Sequence, residues 1–204
     1  MKTLLTAIMM ISATFAARAQ GTFDAMIVSG DNPVGGVFPG VAGWTFQTLY
    51  PVTLTDLGCF QTVIDGNGTA IRVGLWANDG TLLVSRVVSS TSPLINTIRY
   101  EPVDSLLLQP NVTYHLGAYS SSGSIGLNLA GPGYSDYTLA PALDPTSIHR
   151  TENVSGFAAP SVVPGSLVFP VGADVRYSAV PEPSALALLA LGGVAMIWRG
   201  SRRR

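Results

Sequence analysis

The chain has few charged residues and a single cysteine. Charged residues make up 11% of its 204 residues, whereas a typical soluble domain has about 25%. Cys59 has no partner, which excludes an intramolecular disulfide and leaves stability to the packed core. Because it lies between Leu57-Gly58 and Phe60, we expect Cys59 to be a buried small hydrophobe rather than a catalytic thiol.

Histidine is also scarce. His115 and His149 lie far apart in the sequence, with no cysteine, histidine or carboxylate at metal-ligand spacing. This pattern argues against a zinc site and against a Ser-His-Asp relay. Only convergence of distant residues in the folded chain would change that interpretation.

Basic residues are almost absent between Gln20 and Pro183. This segment holds five arginines against all twelve acidic residues, a formal charge of −7. The five are Arg72, Arg86, Arg99, Arg150 and Arg176. A phosphate backbone would be repelled by this charge, so we expect no nucleic-acid partner.

The first nineteen residues have the order of an export signal. Lys2 gives a positive start, residues 4–16 form an apolar run, and Ala17-Arg18-Ala19 has the small-x-small pattern that a signal peptidase reads. Cleavage is predicted between Ala19 and Gln20, which makes residues 1–19 a removed signal peptide and signal peptidase a partner. A buried N-terminal helix is the alternative.

The last twenty-five residues combine prolines, an apolar run and a basic end. After Val180-Pro181-Glu182-Pro183-Ser184 come fourteen uncharged residues, 185–198, fewer than the roughly 20 that a membrane span needs. The cluster Arg199, Arg202, Arg203 and Arg204 decides the interpretation, because such arginines stay on the cytoplasmic side. The run is therefore predicted to be a single inner-membrane helix that these arginines retain, with the preceding chain outside.

This order of triplet, helix and arginines resembles the PEP-CTERM sorting signal of Gram-negative, exopolysaccharide-producing bacteria. In that family an exosortase, a membrane enzyme with a cysteine active site, recognises the signal and cuts near the triplet. The resemblance implies that Pro181, Glu182 and Pro183 are the recognised residues and that residues 180–204 are a sorting and anchor segment. Processing would then deliver the protein to the cell surface or the extracellular space. A plain tail anchor is the alternative.

The interior, residues 20–179, alternates apolar and polar residues over short segments, which is typical of half-buried strands. The clearest segments are Trp44–Gln47, Val52–Thr55, Ile71–Leu75, Ile98–Glu101 and Val175–Ser178. Turn residues separate them at Asp65–Gly68, Asn78–Gly80 and Gln109–Asn111. We expect an all-β domain of about seven to nine strands, an antiparallel β-sandwich of jelly-roll type. Long loops are expected between Gly131 and Gly172.

Part of this interior also has a family likeness. The motifs Gly43-Trp44-Thr45-Phe46, Val73-Gly74-Leu75-Trp76 and Gly80-Thr81-Leu82-Leu83, with Gly117-Ala118-Tyr119 at the end, are similar to a family of uncharacterised β-sandwich domains. Those domains occur in bacterial surface proteins and beside carbohydrate-active enzymes. The matching residues contain no catalytic motif, so the resemblance implies a fold and not a reaction.

Aromatic side chains are the first candidates for binding, because they stack on sugar rings. The candidates are Trp44, Trp76, Tyr100, Tyr114, Tyr119, Tyr134 and Tyr137. Core packing is favoured for Trp44 and Trp76, which lie in alternating segments. Tyr134 and Tyr137 are expected in an exposed loop, where functional residues are common.

Oxygen-bearing side chains form the second candidate. Asp65, Asn67 and Thr69 place oxygen atoms at alternate positions, as a calcium loop does. The loop lacks the further carboxylates of a strong calcium site, so a hairpin turn is favoured. We therefore expect no metal and no cofactor.

The sequence contains no paired carboxylates placed for hydrolysis and no signature around a serine, so we expect no catalytic role. The leading hypothesis is an exported, non-catalytic matrix or cell-surface protein that binds or co-assembles with exopolysaccharide. A carbohydrate-active or other secreted hydrolase is the alternative.

Overall fold

A computed structural model describes residues 21–29, 40–61, 70–120, 136–147, 149–153, 156–162 and 172–180. Thr22–Ala179 forms one compact unit, and the architecture below belongs to it. The predicted signal peptide and the predicted C-terminal helix lie outside the described residues.

The described residues form thirteen strands and one short 3-10 helix. The strands are β1 (Thr22–Asp24), β2 (Met26–Ser29), β3 (Gly40–Phe46), β4 (Val52–Phe60), β5 (Ile71–Ala77), β6 (Leu82–Val88), β7 (Leu94–Ile95), β8 (Ile98–Leu108), β9 (Tyr114–Ser120), β10 (Asp136–Leu139), β11 (Arg150–Asn153), β12 (Ser161–Val162) and β13 (Ala173–Ala179). The 3-10 helix is Pro145–Ser147.

The strands form two larger sheets and one small one. One larger sheet has the order β1-β13-β4-β8-β7, the other has the order β12-β11-β3-β9-β5-β6, and β10 pairs with β2. Every pairing between these strands is antiparallel. The prediction of an all-β, antiparallel fold is confirmed.

One apolar core joins the two larger sheets. Alternate residues of β3 and β5 on one sheet, and of β4 and β13 on the other, belong to the same buried cluster. Within it, Trp44 Nε1 donates a buried hydrogen bond of 2.8 Å to the carbonyl of Ala173, from one sheet to the other. Cys59 is buried in this cluster with a free thiol, as predicted, and burial raises the pKa of that thiol.

Two of the predicted turns are present. Residues 78–80 lie in the connection from β5 to β6, residues 78–81, and Gly80 takes a φ of +87°, a conformation that side chains disfavour. Residues 109–111 lie in the connection from β8 to β9, residues 109–113, and Asn111 takes a φ of +58°. The third turn, Asp65–Gly68, lies outside the described residues.

The expectation of long loops between Gly131 and Gly172 was wrong for the described part of that region, which holds β10, the 3-10 helix, β11 and β12. The sequence of β11, Arg-Thr-Glu-Asn, has no apolar alternation. It forms a strand because all four residues pair with Val41–Trp44 of β3. Tyr137, expected in a loop, lies in β10 opposite Val28.

Candidate functional site

A polar cleft of about 270 Å³ lies at one end of the six-stranded sheet. Its walls come from the end of β3, the residue after β5, the start of β9 and the segment between β10 and β11. The lining residues are Thr45, Gln47, Asn78, Thr113, His115, Asp144, Thr146, Ser147, His149 and Val162. Most of them carry hydroxyl, amide or imidazole groups.

Strand pairing brings the two histidines to this cleft. His115 on β9 stands opposite Thr45 on β3, so the two side chains share a sheet face. On the other side of β3, the Thr45 N–H donates to the His149 carbonyl at 2.8 Å. The histidines therefore flank one residue of β3. Sequence spacing carried no signal of this, because the proximity comes from pairing across β3.

Hydrogen bonds around the 3-10 helix build one wall of the cleft. Asp144 Oδ1 accepts from the Thr146 N–H at 2.9 Å and from Thr146 Oγ1 at 2.8 Å. Ser147 Oγ donates to the Asp144 carbonyl at 2.7 Å and accepts from the Gln47 N–H at 2.8 Å. The carboxylate and this hydroxyl are thus engaged in holding the wall in place.

The opposite wall leaves some polar groups available. Thr45 Oγ1 donates to the Ser147 carbonyl at 2.8 Å, and Gln47 Nε2 donates to Thr113 Oγ1 at 2.8 Å. Among the described residues, neither Gln47 Oε1 nor the His149 ring has a hydrogen-bond partner. These groups, together with the amide of Asn78, are the ones a ligand in the cleft would meet.

The cleft carries little charge. Burial lowers the pKa of the half-buried His115, and a hydrogen bond to the Pro160 carbonyl opposes this shift only in part. The His115 Nε2 atom lies 3.5 Å from Asn78 Oδ1, and Nδ1 is buried without a partner of good geometry. The burial of His115 therefore favours its neutral form. Among the residues that the structure describes, no lysine or arginine side chain lines the cleft.

The arrangement offers binding groups rather than an activated nucleophile. A serine nucleophile needs a base on its hydroxyl, but the hydrogen bonds of Ser147 Oγ in the described structure go to backbone groups. Across the described ranges, no three His, Cys, Asp or Glu side chains group closely enough to hold a metal ion.

Most of the aromatic candidates are buried. Trp44 and Trp76 are 0% and 2% exposed, so their predicted core packing is confirmed. Tyr100 and Tyr114 are also buried and present no flat face to a sugar. Tyr119 is half-buried, with its ring centroid 5.9 Å from that of Phe157. Tyr134, the side chain of Tyr137, and Asp65, Asn67 and Thr69 lie outside the described residues.

Phe157 is a residue whose place the sequence did not indicate. Its ring lies under the Arg72 guanidinium, at 3.9 Å, and 5.0 Å from the ring of Trp76. Gly74 makes room for this cluster, because a Cβ there would lie 2.7 Å from Phe157 Cζ. Phe157 thereby covers the face of β5 at Gly74, on the strand whose end borders the cleft.

A second polar group is buried in the five-stranded sheet. Asp174 on β13, Gly58 on β4 and Tyr100 on β8 stand side by side. The Tyr100 hydroxyl reaches across Gly58 and donates to Asp174 Oδ2 at 2.7 Å. Asp174 is fully buried, and burial raises its pKa to about 8. Arg176 and Asp24 form an ion pair of 3.0 Å nearby. This group is part of the protein interior and bears on stability.

Comparison with known families identifies the end of the chain. Residues 179–204 carry a PEP-CTERM protein-sorting motif. The resemblance inferred from Pro181, Glu182, Pro183 and the arginines is confirmed. The motif implies export, an exosortase-type processing enzyme as partner, and a membrane-anchored C-terminal sorting tail. A comparison with curated proteins finds no match.

The individual residues predicted to act in signal cleavage, sorting and membrane retention lie outside the described part of the structure. They are Ala17, Ala19 and Gln20 at the predicted cleavage site, Pro181, Glu182 and Pro183 in the triplet, and Arg199, Arg202, Arg203 and Arg204 at the end. Their separate roles stay predictions. Among the described residues, no helix is long and apolar enough to cross a bilayer.

Proposed function

We propose that this chain is a non-catalytic protein of the cell surface or extracellular matrix whose β-domain binds a neutral exopolysaccharide in the polar cleft. Export and sorting follow from the PEP-CTERM motif. The surface location after processing and the polysaccharide ligand are our inference. We also infer that the fold is a β-sandwich of jelly-roll type. The two antiparallel sheets, which share one core, support this inference.

The observation that carries this proposal is the chemistry of the cleft lining. Gln47, Asn78 and the imidazoles present both acceptors and donors, which match hydroxyl groups that do both. The one lining carboxylate, Asp144, already binds Thr146. Since the described lining contains no cation and its carboxylate is engaged, the cleft favours an uncharged ligand. Its volume of about 270 Å³ is near the lower limit of ligand pockets, about 300 Å³, and suits a short stretch of sugar.

A secreted hydrolase is the second candidate, because Asp144, Ser147 and both histidines meet in the same cleft. Glycoside hydrolysis usually needs two carboxylic groups about 5 to 9.5 Å apart. The described lining residues supply one, Asp144, and Thr146 binds both of its oxygens. Binding without turnover is the function that this geometry favours.

Affinity electrophoresis of the 20–180 fragment tests the proposal. The fragment contains the whole unit Thr22–Ala179 and should be retarded in gels that contain the producing organism's own neutral polysaccharide. Gln47→Ala and Asn78→Ala should each weaken retention by about fivefold or more, since each removes hydrogen bonds worth about 1 kcal/mol or more. Gln109→Ala is the matched control, because Gln109 is exposed and lies outside the cleft.

Two outcomes would contradict this proposal. Equal retention of the Gln47→Ala, Asn78→Ala and control variants would show that the cleft does not bind the polysaccharide. Release of reducing sugar ends that stops in a His149→Ala variant would favour the hydrolase instead.

A further inference from the structure

Among the described strands, those at the edges of the two larger sheets differ in length. Three of the four edge strands are very short, with three residues in β1 and two each in β7 and β12. The fourth, β6, has seven residues. Short edge strands are a common protection against the addition of a further strand. That protection is absent at β6.

The composition of β6 suits strand addition. Five of its seven residues are apolar, and it contains no proline, glycine or acidic residue. Leu82, Leu83 and Val87 are 42%, 37% and 57% exposed. In the part of the chain that the structure describes, β6 pairs only with β5. An edge of this kind is a template for another strand.

Arg86 is the only charged residue of β6, and it engages backbone carbonyls. It stands opposite the core residue Val73, so its side chain starts on the inner face of the sheet. Its Nε donates to the Pro102 carbonyl on β8 of the other sheet at 2.9 Å, and its Nη1 donates to the Ser85 carbonyl at 3.0 Å. An inward-pointing charge is a known protection of a sheet edge. An incoming strand would compete with Arg86 for the Ser85 carbonyl of β6. The contact with the Pro102 carbonyl holds the arginine side chain in place.

We propose that β6 is a strand-pairing surface for a second copy of this chain and that Arg86 blocks it in the single protein. The sequence of β6 is complementary to itself in an antiparallel pair centred on Ser85. Leu83 then lies opposite Val87 of the second copy, and Leu82 opposite Val88. Arg86 lies opposite Val84, so like charges do not face each other.

The sorting tail supports a second copy as the occupant. A PEP-CTERM motif implies that copies of the chain share one membrane before processing. Anchoring in one membrane raises the effective concentration of each copy for the others. Without Arg86, β6 strands of neighbouring copies would then pair before the protein leaves the membrane. Arg86 prevents this early association.

The mass of the full-length chain in mild detergent tests the proposal, by light scattering after size exclusion. The wild type should be monomeric, whereas Arg86→Ala should have about twofold the protein mass or more. Arg72→Ala is the matched control, because Arg72 lies on the neighbouring strand and its side chain binds the Ser85 hydroxyl rather than a carbonyl. Arg86→Lys keeps the charge but loses the planar contact with two carbonyls, so its protein mass should also increase. It provides the test if Arg86→Ala does not fold.

A cysteine at the centre of the pair identifies the surface. Opposed residues of an antiparallel pair have Cα atoms about 4.5 to 5.5 Å apart, within disulfide range. Ser85→Cys should therefore form an interchain disulfide in the Arg86→Ala background and not in the wild type. The natural Cys59 is buried and would not compete. Adding Val87→Lys should return Arg86→Ala to a monomer.

Two results would overturn the proposal. One is a monomeric mass for both Arg86→Ala and Arg86→Lys at every concentration. The other is association that gives no disulfide at Ser85→Cys or persists with Val87→Lys, because such association would use another surface.

Discussion

Replacing Asp174 by asparagine should remove a large part of the pH dependence of folding stability between about pH 4 and pH 8. Asp174 is fully buried, and burial raises the pKa of its carboxyl from 3.8 to about 8. The Tyr100 hydroxyl, which donates to Asp174 at 2.7 Å, opposes this shift only in part. The folded protein therefore holds a proton that the unfolded chain has released.

The size of the effect follows from this difference in proton binding. Because the folded-state pKa is the higher one, the stabilising contribution is complete below about pH 4 and is lost as the pH rises to about 8. Each pH unit within that window costs about 1.4 kcal/mol of the free energy of unfolding. From pH 5 to pH 8 the loss is about 4 kcal/mol, a large share of the roughly 5 to 15 kcal/mol that stabilises a domain.

Urea unfolding of the 20–180 fragment at pH 5, 6, 7 and 8 measures this loss. His115 has a lowered pKa and acts in the opposite direction, losing stability as the pH falls, so the quantity to compare is the difference between wild type and Asp174→Asn. That difference should change by about 4 kcal/mol across the series. Asp104→Asn removes an exposed carboxyl of β8 and should leave the wild-type trend unchanged. A difference between wild type and Asp174→Asn that stays constant with pH would refute the reasoning.

Three further predictions concern export, covalent stability and packing. Mass-spectrometric sequencing of the exported protein should begin at Gln20, and an intact Met1 would contradict the signal peptide. The melting temperature of the 20–180 fragment should respond neither to dithiothreitol, because Cys59 is free, nor to a chelator. A large fall with chelator would instead assign a calcium site to Asp65, Asn67 and Thr69. Gly58→Ala should destabilise the fragment by about 1 to 3 kcal/mol, because its Cβ would lie 2.5 Å from two ring carbons of Tyr100. A loss under about 0.5 kcal/mol, as for a surface change, would show that the ring moves aside freely.

The sequence predicted those strands whose pairing leaves a local pattern. Segments such as Ile71–Leu75 and Val175–Ser178 alternate because one face is buried and the other is not, and they lie in β5 and β13. The turn at Gly80 was predictable for a similar local reason, since its positive φ selects glycine. β11 was not predictable, because its polar residues are held by β3 from more than a hundred positions away.

The cleft could not be predicted from the sequence either, because it too depends on pairing between residues that are distant along the chain. His115 and His149 are brought together by strands that pair on either side of Thr45, and no spacing along the chain encodes that pairing. The burial of Tyr100 likewise depends on Gly58 of a neighbouring strand, over which the ring lies. By contrast, the sorting motif was predictable because its parts are consecutive in the sequence and are read as a linear signal.

Replacing Pro181, Glu182 and Pro183 together by alanine tests the central claim, that the tail is a sorting signal which is read and processed. Two prolines fix φ and discourage helix at this point, so the triplet should be extended and accessible beside the membrane. Because the apolar run and the four arginines are unchanged, the variant should still insert. Fractionation with detection of both chain ends should then show full-length protein accumulating in the inner membrane. Trimmed protein at the surface in normal amount would contradict the account and leave a plain membrane anchor, or none, in its place.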